Sequence, residues 1–168
     1  MSTTASTSSF DLRRYQDPAT IQRLIYNAKT IAIVGLSPNE LRASNFVGYY
    51  LKRHGYNVIP VNPRETEIFG EKSYKSLLDV ATPIDIVNVF RAPDALPGIA
   101  EDAVKIGAGA VWCQFGVINE EGARIAEEGG LAVIMDRCIK VEHARYFGRM
   151  HWLGFNTQRI TSVRGGLQ

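Results

Sequence analysis

The sequence lacks most of the features that mark specialised chains. Two cysteines among 168 residues cannot build a disulfide framework, and they do not form the C-x-x-C pair of a zinc site. No apolar run approaches the ~18 residues of a membrane-spanning helix. Lysine and arginine total 19 against 17 aspartates and glutamates, a net charge of +2. That balance gives no basic footprint for nucleic acid. No H-E-x-x-H, G-x-S-x-G or Walker loop occurs, and there is no internal repeat. The Ser/Thr-rich start, Met1 to Ser9, has neither the basic nor the apolar segment of a secretory signal. Its composition predicts a disordered tail over 1–16. Free cysteines without a signal suggest a reducing cytoplasm. The length fits one domain of ~150 residues with short tails, which leaves little room for a separate substrate domain.

What is present is an alternation of apolar runs and helical patterns. Asp17-Pro18 reads as a helix cap followed by proline in the first turn. Apolar runs rich in β-branched residues, at 30–34, 57–61, 84–90, 110–114 and 131–135, read as buried strands. Between them lie helical patterns. One is expected to be capped by Ser44, with Phe46, Val47, Tyr50 and Leu51 on its apolar stripe. A short helix is expected from Ser73, another from Pro93-Asp94, one capped by Asn119, and a last one from near Lys140 to Phe147. Strands about 25 residues apart with intervening helices predict βαβ units and a parallel sheet. The expected fold is α/β: a doubly wound, Rossmann-like, five-stranded parallel sheet in 3-2-1-4-5 order with helices on both faces. It occupies 17–147. The remainder, 148–168, is a mixed aromatic and basic tail, a candidate surface for a homodimer or protein partner.

In such a sheet, ligands bind beyond the carboxyl ends of the strands. The residues there are Gly35-Leu36-Ser37, Asn62-Pro63-Arg64, Phe90-Arg91-Ala92-Pro93, Gln114-Phe115-Gly116 and Asp136-Arg137-Cys138. The first turn lacks the second and third glycines of a dinucleotide fingerprint. Phosphates can still meet Ser44 and the backbone at the following helix start. The second strand ends in Arg64 rather than the acidic residue that holds an NAD ribose. Arginine suits a phosphorylated ribose instead, that of NADP or of coenzyme A (CoA).

Five motifs in this order carry a resemblance. They are Ile33 to Ser37, Pro60 to Pro63, Asp85 to Arg91, Trp112 to Gly116 and Asp136 to His143. Over roughly 18–147 the chain resembles the YccU-like stand-alone CoA-binding proteins. The same module is similar to the CoA-binding domain of the succinyl-CoA synthetase α subunit and of ADP-forming acyl-CoA synthetases. The resemblance implies CoA or an acyl-CoA as ligand, with phosphates near Gly35 and Ser37. It puts the adenine-ribose end by Asn62, Pro63 and Arg64, and the pantetheine near Phe90, Arg91 and Pro93.

The related ligases use further domains for which this length has no room, so binding is expected rather than turnover. His54 falls at a helix C-terminus, whose partial negative field suits it, and His151 falls in the C-terminal tail. His143, after Glu142 in the last helix, has no clearly paired serine or cysteine, and a structural role is expected for it. Cys138 follows a strand on the rim and precedes a helix, with Arg137 and Lys140 nearby. It is a candidate to meet the CoA thiol. Cys113, inside a strand, belongs to the core. Two rival readings stay open: an NADP- or nucleotide-responsive regulatory domain, and a thiol-dependent acyl transferase using Cys138.

Overall fold

The computed structural model describes the backbone of residues 9–152 and side chains as far as Gly148. Five parallel strands form the central sheet: β1 (Thr30–Val34), β2 (Asn57–Val61), β5 (Ile86–Val89), β6 (Ala110–Cys113) and β7 (Ala132–Ile134). A two-residue antiparallel pair, β3 (Glu67–Ile68) and β4 (Glu71–Lys72), stands apart from it. The helices are α1 (Pro18–Asn27), α2 (Ala43–Arg53), α3 (Leu96–Lys105), α4 (Glu120–Glu128) and α5 (Ile139–Trp152). Every residue of β1, β5 and β6 is buried. This explains their unbroken apolar runs: a parallel strand covered on both faces has no polar side to show.

Alternate residues feed two cores. Ile31 and Ile33 meet α1, α2 and α5 through Ile25, Leu51 and Ile139. Ala32 and Val34 face the other way, with Leu96, Ala100 and Ala103 of α3 and Ala123 and Ala126 of α4. The result is a three-layer α/β/α domain, and the doubly wound class is the expected one.

The strand order is β2-β1-β5-β6-β7. Counting only these five strands along the chain gives 2-1-3-4-5, not the 3-2-1-4-5 of the sequence reading. The third strand pairs with the first, Ile31 beside Ile86 and Val34 beside Val89. The outer edge of β2 is covered instead by a single parallel bridge between Val61 and Tyr74. All five strands run the same way, but the chain winds from β1 to β2 on one side and then crosses to β5 on the other, so the switch point lies between β1 and β5.

Local expectations are met where capping chemistry is strong. Asp17 accepts from Thr20 N–H and Asn119 from Gly122 N–H, as caps of α1 and α4. Others are corrected. Helix α2 begins at Ala43 with Arg42 at its cap position and no side-chain cap bond, so Ser44 sits inside the first turn. Phe46, expected on the buried stripe, is 58% exposed. The short helix expected from Ser73 is a 3-10 turn, Leu77–Asp79, capped by Ser76. The tail expected over 1–16 ends early: Phe10, Leu12 and Tyr15 pack on the core. Trp152 ends α5, and its side chain, like that of His151 and the rest of the expected C-terminal tail, lies outside the described residues. No described helix is long and apolar enough to cross a membrane.

Candidate functional site

The β1–α2 loop is built around Gly35. Its φ is +90°, and a Cβ there would run into the Phe90 carbonyl. Only glycine lets the β1 and β5 ends come this close. Beyond it, the loop is held by side chains from neighbouring elements. Ser44 Oγ accepts from Ser37 N–H at 3.0 Å, and Asn45 Nδ2 donates to the Ser37 carbonyl at 2.9 Å. Asn62, at the end of β2, donates to the Leu36 carbonyl at 2.9 Å and accepts from Arg64 N–H. Ser37 Oγ in turn accepts from Asn39 N–H. The loop is therefore pre-shaped before any ligand arrives. Leu36 itself is fully buried and offers only its backbone.

Two open clefts flank the ends of β1 and β5. The larger, about 430 Å³, lies by the start of α2 and is lined by Ala43, Phe90, Arg91, Gln114 and Cys138 among others. Its α2 wall is a helix N-terminus without a side-chain cap, where the Asn45 and Phe46 N–H groups turn back to the Arg42 carbonyl and the helix dipole favours an anion. The smaller, about 220 Å³, lies toward α3 and is lined by Val34, Pro63, Lys75 and Arg91 among others. Arg91 belongs to both. A third hollow, about 680 Å³, sits between α2 and the β3–β4 pair, with Leu41, Phe46 and Tyr49 in its wall.

Behind Gln114 lies a polar pair that the sequence reading missed. Gln114 is 3% exposed and Asn88 is fully buried, and Gln114 Nε2 donates to Asn88 Oδ1 at 2.5 Å. Asn88 Nδ2 has no partner among the described residues. An asparagine inside the run Ile86-Val87-Asn88-Val89 was the available signal, because a buried polar group needs a reason.

The rim closes at β7. Asp136, with φ +58°, accepts from Gly116 N–H at 2.8 Å. Cys138 is half-buried, and its carbonyl accepts the Glu142 N–H that opens α5. The two neighbouring cations are engaged elsewhere. Arg137 bonds Gln16 and the Asp136 carbonyl, and Lys140 Nζ lies over the Phe46 and Tyr50 rings. Cys113 is fully buried, and burial pushes its thiol up to about 12.

The clefts bring Phe90, Arg91, Gln114 and Cys138 together on one side and Pro63 and Arg91 on the other. Gly35, Ser37, Ser44 and Asn62 shape the loop between. Arg64, Pro93 and Gly116 line neither cleft. His143 is buried, its Nδ1 2.7 Å from the Tyr50 hydroxyl, in an aromatic cluster with His54 and Phe147. It lines neither cleft. Among the described residues no group of His, Cys, Asp or Glu is arranged to hold a metal ion.

These features define a Rossmann-like α/β domain with its open clefts at the switch point. Residues 29–144 match the CoA binding domain family, and the chain belongs to it. The uncharacterized protein YneT of Bacillus subtilis is 45% identical over 126 residues, covering 75% of this chain and 93% of that protein. The ADP-forming acetate–CoA ligase of Methanocaldococcus jannaschii is 37% identical over 121 residues, 67% of this chain but only 17% of the ligase. The structure of a hypothetical protein from Pyrococcus horikoshii is similar, with a TM-score of 0.75 and 40% identity over 77% of this chain and 91% of that one.

Proposed function

We propose that this protein binds CoA or an acyl-CoA across the two clefts at the ends of β1 and β5, and holds it without turnover. The observation that carries this reading is the uncapped N-terminus of α2 beside a loop already fixed by Ser44, Asn45 and Asn62. That arrangement presents the start of a helix to a pyrophosphate at reduced ordering cost. Each cleft is small for a whole cofactor, but the pair joined at Arg91 suits a long one. The pantetheine arm belongs in the larger cleft, by Phe90, Gln114 and Cys138. The nucleotide end belongs toward Pro63. Histidine chemistry has no part in this reading, since His143 is committed to Tyr50.

A thermal-shift panel of CoA, acetyl-CoA, NAD, NADP and ATP tests it. A ligand at 100 times its dissociation constant stabilises the fold by about 2.7 kcal/mol. CoA and acetyl-CoA are expected to shift the transition and NADP to leave it in place. A shift with NADP and none with CoA overturns the reading in favour of a nucleotide-responsive domain. Consumption of acetyl-CoA that disappears in Cys138→Ser makes the protein an acyl transferase instead.

A further inference from the structure

The second strand ends in Asn62-Pro63-Arg64, yet the cation that the fold delivers to this edge comes from later in the chain. Tyr74 pairs in parallel with Val61. Its N–H donates to the Pro60 carbonyl at 3.0 Å, and its own carbonyl accepts from Asn62 N–H at 2.9 Å. Ser73 Oγ adds a bond to the Asn62 carbonyl at 3.1 Å. A parallel bridge carries both chains in one direction. The residue after Tyr74 therefore leaves past the carboxyl end of β2, on the ligand rim. That residue is Lys75.

Lys75 lines the 220 Å³ cleft together with Arg91 and Pro63, over apolar walls from Val34, Val61 and Ile99. Asp102 is the one carboxylate in the lining. Lys75 and Arg91 are exposed, and none of the ion pairs among the described residues uses either. The cleft falls below the ~300 Å³ of a site for a whole small molecule, so it takes one end of an extended ligand. Apolar walls suit the face of a base, and two cations suit a phosphate beside it. Arg64 is exposed, and its backbone N–H is bound to Asn62 Oδ1.

We infer that Lys75, with Arg91, reads a phosphate on the ligand's ribose, and that Arg64 does not. The inference rests on the CoA reading above and adds to it the residue that discriminates the 3′-phosphate. Titration calorimetry with CoA and with dephospho-CoA tests it on the wild type, Lys75→Met and Arg64→Met. The wild type is expected to prefer CoA by about tenfold, the usual scale of a charge-assisted hydrogen bond. Lys75→Met is expected to lose that preference by weakening CoA alone, with dephospho-CoA unchanged. A purely structural role for Lys75 would weaken both ligands alike and overturns the inference. So does loss of the preference in Arg64→Met with its retention in Lys75→Met. Equal affinity of the wild type for the two ligands also overturns it, while leaving CoA binding intact. No binding of either ligand overturns the functional reading itself.

Discussion

Gly35 and the two cysteines are positions where a single atom decides the outcome. At Gly35 a left-handed backbone and contact with the Phe90 carbonyl coincide. Gly35→Ala therefore meets both strain and collision, and a loss of about 1–3 kcal/mol is expected for a strained backbone position. Urea unfolding measures it; an unchanged midpoint would mean that β1 and β5 do not need this approach. The thiols differ through burial. Cys113 holds its proton to about 12, against 9.0 for a free thiol. From about pH 9 to 12 the folded state binds more protons than the unfolded chain, so stability is intact below pH 9 and falls as pH rises. Tyr15 adds to the fall in the same direction, its hydroxyl pushed up by burial and by its bond to Glu127. Urea midpoints across pH 8 to 11 check this, and Cys113→Ala should flatten the first part of the slope. Cys138, half-buried in the larger cleft, is the thiol within a ligand's reach. Its thiolate attacking CoA disulfide would form a protein–CoA disulfide and release one CoA thiolate. Intact mass should show one CoA adduct that Cys138→Ser abolishes; no adduct on the wild type sinks the contact.

At the scale of elements, the β1–α2 loop is a part whose order comes from its neighbours. Asn62→Ala would remove both the donor to the Leu36 carbonyl and the acceptor for Arg64 N–H. Leaving such half-buried groups unpaired costs about 1–3 kcal/mol. The variant should unfold at lower urea and bind CoA more weakly, and normal stability with normal binding would show the loop to be self-supporting. How much of this was legible follows from what a sequence pattern encodes. Apolar runs locate strands, because a doubly covered strand has to be apolar on both faces. The same runs carry no record of which neighbour each strand takes. The order therefore rested on analogy, and the Val61–Tyr74 bridge, one residue long, left no periodic trace. Strand ends located the rim and so placed Gly35, Phe90, Arg91, Gln114 and Cys138. Asn45 and Lys75 escaped notice because one lies inside a helix and the other after a bridge. Their roles arise from tertiary placement.

For the molecule as a whole, the segment before α1 binds the far edge of the sheet. Tyr15 is 5% exposed, its hydroxyl donates to Glu127 of α4 at 3.0 Å, and its carbonyl accepts Met135 N–H at 2.9 Å. Gln16 donates to the Met135 carbonyl and accepts from Arg137. Arg137 precedes Cys138, so these residues brace the β7 end of the rim from outside the βαβ repeat. Composition concealed this, since a polar Ser/Thr-rich start runs directly into the anchoring residues. Two substitutions separate packing from hydrogen bonding. Tyr15→Phe keeps the buried ring and loses only the Glu127 bond, an expected cost of about 1 kcal/mol. Tyr15→Ala empties the site, and a buried aromatic truncated to alanine costs about 3–5 kcal/mol. Urea unfolding ranks the two. If the segment also braces the rim, Tyr15→Ala should bind CoA more weakly even in conditions where it remains fully folded. Wild-type affinity in that folded variant would limit the segment to holding the fold together.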